Sequence, residues 1–339
     1  MNLEELNRTA RALVDNARGI LAADESSPTI KKRFDTIGVE STEENRRAYR
    51  DMLFTADGIE STISGVILYE ETLFQSSADG TPFAKLLADR NIIPGIKVDK
   101  GAKPLALCPG ETVTEGLDGL RDRLQKYYEA GARFAKWRAV ITISDEAPTS
   151  TCIDTNAHAL ARYAALCQEQ GIVPIVEPEV IMDGAHDIEV CEEVTRATLS
   201  AVFAQLDGQG VELEGMLLKP NMVISGTQCP EQASIEEVAA ATVRTLKRHV
   251  PAAVPGIVFL SGGQSDELAT AHLDAMNRMG PHPWVLSFSY GRALQAAALK
   301  AWGGKTENVA AGQRAFAHRA QCNAAAVRAE YSAEMESAA

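Results

Sequence analysis

Three lysines carry the first chemical signal. Lys97 lies in IPGIKVD, Lys136 in FAKWRAV and Lys219 in GMLLKPN, each within or at the end of a short apolar run. An ammonium in such a place costs free energy unless it is paired or does chemistry. Carboxylates stand at comparable positions: Asp24 after GILAA, Glu70 after ISGVILY, and Glu177 with Glu179 in VPIVEPEV. A lysine among other cations in a partly desolvated site loses its proton more readily and becomes a nucleophilic amine. Such an amine adds to a ketone and, after loss of water, gives a protonated Schiff base, an electron sink for breaking the neighbouring C–C bond. The carboxylates would move the protons of dehydration and of the hydroxyl whose C–C bond breaks.

A second group reads as an anion site. Leu260-Ser261-Gly262-Gly263-Gln264 leads into SDELATAHL, and Ser289-Tyr290-Gly291-Arg292 opens ALQAAALKAW. Glycines at a helix N-terminus expose backbone N–H groups, a serine adds a hydroxyl donor and arginine adds a fork suited to phosphate. Another basic cluster, Lys97, Arg138 and Lys32-Arg33, offers a place for a second phosphate. LSGGQ also matches part of an ATPase signature, but no complete G-x-x-x-x-G-K-[ST] accompanies it, since Leu299 replaces the first glycine ahead of Gly304-Lys305-Thr306. The six histidines show neither H-x-x-H nor H-E-x-x-H spacing, so no metal site and no cofactor are expected.

These residues need a scaffold that brings eight strand ends together. Apolar runs begin near residues 19, 63, 93, 133, 173, 214, 256 and 284, each followed by a helical stretch. They lack polar/apolar alternation, as parallel strands covered on both faces do. Eight β–α alternations without a linker predict an α/β chain folded as a (β/α)₈ TIM barrel, whose active site sits at the C-terminal strand ends. An open doubly wound sheet is the alternative, but no strand is followed by G-x-G-x-x-G. An amphipathic helix precedes the first strand. Residues 1–331 are expected to form a single domain and residues 332–339 a short mobile C-terminal tail.

Composition limits what the chain acts on. Thirty-three basic and 46 acidic residues give a net charge of −13, which disfavours nucleic acid and anionic membranes while leaving room for a small anionic substrate. No apolar run reaches the roughly 18 residues of a membrane span. Glu4 and Glu5 stand where a signal peptide needs positive charge. Six cysteines without a C-x-x-C pair suit free thiols, and a cytoplasmic location is expected.

LAADES, GIKVDKG, FAKWRA, VEPE, LLKPNM, FLSGGQS and SYGRALQ occur in this order. Together they resemble the class I fructose-1,6-bisphosphate aldolases, over about residues 3 to 331. The resemblance implies a glycolytic and gluconeogenic lyase, usually a homotetramer, that cleaves fructose 1,6-bisphosphate to dihydroxyacetone phosphate and glyceraldehyde 3-phosphate without metal. It further implies that Lys219 is the Schiff-base lysine, with Glu177 as the acid/base of carbinolamine dehydration and Glu179 beside it. Asp24 is similar to the aspartate that helps deprotonate the C4 hydroxyl, and Lys136 to the lysine beside the imine. Ser261, Gly262, Ser289, Gly291 and Arg292 match the ketone-side phosphate site. Ser26, Thr29, Lys97 and Arg138 match positions near the other phosphate, Thr29 standing for a family serine. Animal members end in a tyrosine that assists proton exchange, whereas this chain ends in EMESAA and its last tyrosine is Tyr331. Two other readings stay open at this point. One is a Schiff-base barrel handling a single phosphate, such as a transaldolase. The other is an idle barrel used as a scaffold, against which the presence of Lys219 and Glu177 argues.

Overall fold

Strands without polar alternation must be covered on both faces, and a closed barrel ringed by helices does this. The computed structural model describes residues 2–338; Met1 and Ala339, which the domain expectation included, lie outside the described residues. Eight parallel strands close into one barrel: β1 (Gly19–Ala23), β2 (Ile63–Leu68), β3 (Ile93–Lys97), β4 (Phe134–Ile141), β5 (Val173–Val180), β6 (Leu217–Leu218), β7 (Gly256–Phe259) and β8 (Val285–Tyr290). Each pairs with its neighbours in sequence, and β1 pairs with β8 to complete the ring. The expected TIM barrel is therefore the observed fold. The β4–β5 ladder is the longest, running in register from Phe134 opposite Val173 to Ile141 opposite Val180. A two-stranded hairpin, Ala102–Pro104 with Thr112–Thr114, follows β3 and was not foreseen, because its short polar strands carry no apolar period.

The helix Leu3–Ala12 forms because Asn2 caps it and its apolar residues recur at helical spacing. Its Leu6 and Ala10, with Leu13 and Val14 just beyond, pack against Ile20, Phe134 and Val258 at the N-terminal end of the barrel. That end is thereby filled with hydrocarbon, and the opposite end is left for polar groups. Large side chains need local space inside so narrow a ring, and glycines provide it. A Cβ added at Gly95 would lie 2.3 Å from the Phe134 ring, and one at Gly65 would lie 3.0 Å from it. Outside the strands, Trp137 stacks on Tyr163 of the helix Ser150–Glu169 with centroids 5.5 Å apart.

The C-terminal residues fold back. After the helix Val309–Val327, the Tyr331 N–H donates to Asp274, and a short 3₁₀ turn, Ala333–Ala338, brings Glu336 onto the buried Arg319. Among the described residues no helix is long and apolar enough to cross a membrane.

The Phe134 pocket supplies a test of the packing. Gly95→Ala places a methyl group inside van der Waals contact of a ring that the barrel wall holds in place. Denaturant unfolding should show a loss of about 1–3 kcal/mol, the usual cost of overpacking a filled core. An unchanged midpoint would mean that Phe134 moves freely and does not fill the barrel end.

Candidate active site

The C-terminal ends of the strands meet around a cavity of about 410 Å³. Strand register does the positioning. Lys97 is opposite Lys136 in the β3–β4 ladder, and Arg138 and Val140 are opposite Glu177 and Glu179 in β4–β5. Lys219 follows the two residues of β6 and keeps the ladder going by donating its N–H to the Val176 carbonyl at 2.8 Å. Side chains two residues apart point to one face of a strand, so Lys136 and Arg138, like Glu177 and Glu179, project to the same side.

Six of these charges form one network. Lys219 Nζ lies 3.1 Å from Glu177 Oε1, and Lys136 Nζ lies 3.3 Å from Glu177 Oε2. Lys136 also reaches Asp24 at 2.8 Å and Asp99 at 4.0 Å, and Asp99 pairs with Lys97 at 3.1 Å. Lys136, Glu177 and Lys219 are each no more than 4% exposed. Burial by itself would raise the Asp24 carboxyl, but Lys136 and then Lys219 outweigh it and bring it down to about 2. Burial opposes and the same two lysines favour ionised Glu177, which ends below the ordinary carboxylate range. Desolvation disfavours the Lys136 ammonium, yet Asp24, Glu177 and Asp99 together hold it above the ordinary lysine value. Lys136 is thus a fixed cation. Glu177 Oε2 is buried and, beyond its ion pair with Lys136, accepts no hydrogen bond, and the Ser289 hydroxyl is likewise buried without a partner.

The flanks gather serines, glycines and arginines. Gly262 and Gly263 both have positive φ, at 50° and 73°, and pack against Met182 in the loop that Ser265 ends by capping the helix Asp266–Arg278. Arg292 opens the helix Arg292–Trp302, donates to the Gln264 carbonyl and has Nη1 3.8 Å from Asp266. Ser26 is the N-cap residue of the helix Ser27–Asp35; its hydroxyl makes no capping bond and lies 3.1 Å from that of Thr29. Arg138 is paired with Glu179 at the rim.

Of the residues expected at the site, these line the one cavity: Asp24, Lys136, Glu177, Glu179 and Lys219, with Ser26, Thr29, Lys97, Arg138, Ser261, Gly262, Ser289, Gly291 and Arg292, together with Arg33; Lys32 of the second basic cluster does not. Glu70, read as a strand-end carboxylate, is not among them; it accepts from the Tyr127 hydroxyl at 2.7 Å instead, because the chain turns into the short helix Glu70–Leu73. Two buried carboxylates escaped the sequence reading. Asp99 lies two residues beyond Lys97, the period of one strand face, and that spacing could have flagged it. Glu25 pairs with Arg50 at 2.8 Å, accepts from Gln295 at 2.9 Å and holds Arg33 beside Gly291. A larger groove of about 790 Å³ at the opposite end of the barrel, lined by Arg8, Arg11 and Asp15 among others, gathers no comparable set of charges.

The family model for class I fructose-bisphosphate aldolase matches residues 5–339. The chain belongs to that family. It is 62% identical over 324 residues to a probable class 1 fructose-bisphosphate aldolase of Xanthomonas campestris, covering 95% of this chain and 97% of the relative. It is 58% identical to fructose-bisphosphate aldolase 1 of Toxoplasma gondii, covering 97% and 91%. The solved fructose-bisphosphate aldolase of Plasmodium falciparum superposes with a TM-score of 0.96 at 54% identity, over 97% of this chain and 95% of that one. The protein is thus a glycolytic aldolase, a lyase of the metal-independent class, and acts on a sugar phosphate.

The aldolase network has a pH signature. The Asp24 carboxyl falls from 3.8 in the unfolded chain to about 2 in the folded one. Its stabilising contribution is therefore complete above about pH 4 and is lost as pH falls through about 2. Urea unfolding of wild type and Asp24→Asn, measured from pH 6 to pH 2, should show the wild type losing stability more steeply below pH 4. Parallel curves would mean that Asp24 is not held as a carboxylate by Lys136.

Proposed function

We propose that the chain cleaves fructose 1,6-bisphosphate reversibly through a Schiff base on Lys219, giving dihydroxyacetone phosphate and glyceraldehyde 3-phosphate. The observation that carries this is the position of Glu177, with one oxygen on Lys219 and the other buried, unbonded and facing Lys136. Attack requires the Lys219 amine to shed a proton, and Glu177 Oε1 is its nearest acceptor. The amine nitrogen then bonds to the ketone carbon and the carbonyl oxygen takes a proton to give a carbinolamine. Glu177 delivers the second proton, water leaves and the iminium forms. The C3–C4 bonding pair flows into the iminium to give an enamine, while the C4 hydroxyl proton passes to a carboxylate and the aldehyde departs. Asp24 suits that acceptor role by its place beside Lys136. In the free site Lys136 and Lys219 outweigh burial and hold it as a carboxylate, ready to accept a proton. Lys136, a fixed cation, stabilises negative charge that develops near the imine. Protonation of the enamine carbon and hydrolysis return the free lysine.

The two phosphates are assigned to the two flanks. Ser261, Gly262, Ser289, Gly291 and Arg292 hold the ketone-side group, supported by the unbonded Ser289 hydroxyl and the exposed N–H groups of the positive-φ glycines. Lys97, Arg138, Ser26 and Thr29 face the other phosphate. Glu179 orients Arg138. We further propose that residues 1–331 act as one catalytic unit in a cytoplasmic homo-oligomer, a tetramer by family resemblance. The six cysteines are unpaired, which suits a reducing compartment.

Lys219→Arg keeps the charge but not a deprotonatable amine, and should lower turnover by several orders of magnitude. Glu177→Gln should lower kcat about 10²–10⁴-fold, and in single-turnover experiments it should delay iminium formation. Arg292→Ala should weaken both the bisphosphate and dihydroxyacetone phosphate, and should lower kcat as well as raise KM, because the phosphate grip places the carbonyl against Lys219. Normal single-turnover rates in Glu177→Gln would remove Glu177 from the proton path. A bisphosphate that remains as good a substrate of Arg292→Ala would refute the phosphate assignment.

A further inference from the structure

We propose that His318, Cys322 and Glu336 form a zinc-binding site that fastens the C-terminal turn to the last helix of the barrel, away from the catalytic cavity. Among the described residues these three are the one grouping whose ligand atoms all lie within 4.8 Å of one another. His318 and Cys322 are four residues apart in the helix Val309–Val327, so they share one face. Cys322 Sγ lies 3.7 Å from His318 Nε2. Tetrahedral zinc, with Zn–S of about 2.3 Å and Zn–N of about 2.0–2.1 Å, separates two such donors by about 3.6 Å. The helix therefore presents two ligands already at the required spacing. Glu336 approaches from the turn Ala333–Ala338 and needs to move about an ångström to complete a third.

The surroundings are those of a supported ligand set. Arg319 Nη1 donates to Glu336 Oε1 at 2.8 Å, its Nη2 donates to Oε2, and the Tyr331 hydroxyl donates to Oε1 at 2.8 Å. Each carboxylate oxygen has two lone pairs, so Glu336 can ligate through one oxygen while these partners keep its orientation. Cys322 has no sulfur partner except His318 and is fully buried. On binding, the S–H bond breaks, sulfur donates its pair to zinc and one proton goes to solvent; the thiolate and Glu336 then supply two negative charges, the second of them shared with Arg319. A mixed sulfur, nitrogen and oxygen set selects zinc over magnesium or calcium. The Schiff-base chemistry makes no use of this ion.

The test uses the full chain stripped with EDTA and titrated with Co²⁺, whose thiolate charge-transfer absorption reports sulfur ligation, and then with Zn²⁺. One Co²⁺ per chain should bind with a thiolate band, and Zn²⁺ should displace it. Cys322→Ser should abolish the band. His318→Ala and Glu336→Gln should each weaken binding at least tenfold. Hydrogen exchange of residues 331–337 should slow when Zn²⁺ is present. Without metal, Cys322→Ser and His318→Ala should cleave substrate at the wild-type rate. If Cys322→Ser does not fold, His318→Ala decides, since its side chain is half-buried and its loss leaves the core intact. A band that survives Cys322→Ser would assign the sulfur to another cysteine, and failure to bind Co²⁺ at one equivalent would overturn the site. Unchanged affinity in Glu336→Gln together with unchanged exchange would overturn the clasp.

Discussion

Three ammonium groups and three carboxylates share the buried mouth of this barrel, and their mutual balance is the constraint on which the rest depends. Lys97, Asp99, Lys136, Glu177 and Lys219 are linked in that order by contacts of 4.0 Å or less, and Asp24 joins through Lys136. Taking each of these ions out of water costs several kcal/mol, and removing one partner of such a pair typically costs about 3–5 kcal/mol. The network therefore persists only if the backbone holds every member in place at once. Closed-barrel register does this: β3, β4 and β5 are hydrogen-bonded side by side, and Lys219 extends the ladder by one more residue. Filling the other end with the N-terminal helix and the Phe134 ring lets the polar end stay fixed without draining the molecule of its apolar core.

The same balance prepares the chemistry. A lysine that must be a nucleophile needs an acceptor for its proton and a neighbour that stays positive when charge moves. In the proposed mechanism Glu177 and Lys136 supply these from adjacent strands, at 3.1 Å from Lys219 and 3.3 Å from Glu177 respectively. On the proposed assignment, an internally neutral cluster leaves the phosphates to be met at the rim, where Arg292 and Arg138 are tethered to protein groups and partly exposed. This explains how a chain of net charge −13 accommodates a doubly phosphorylated sugar.

Much of this was legible in the residues because parallel strands carry a strong apolar signal and charges inside them stand out. The strand β5 follows its apolar run from Val173 to Val180, and the ends that carry Lys97, Lys136 and Lys219 were readable for the same reason. β6 is only two residues long, yet the run EGMLLKPN still located its lysine, since the ladder continues through a backbone bond beyond the strand. Features set by tertiary contact were not readable. Glu70 looked like a strand-end carboxylate until the chain turned it towards Tyr127. Glu25 owes its place to Arg33, Arg50 and Gln295, the last 270 residues away. His318 and Cys322 form a pair at helical spacing that a search for paired histidines overlooks, and Glu336 joins them only because the chain end folds back.

The central claim is that Lys219, and no other lysine of the network, bonds to the substrate. Reduction with borohydride in the presence of dihydroxyacetone phosphate converts that bond to a stable secondary amine, and peptide mass mapping locates it. The structure predicts one adduct per chain, on the peptide containing Lys219, with Lys97 and Lys136 unmodified. An adduct on Lys136 or Lys97, or none under conditions of full turnover, would contradict the account.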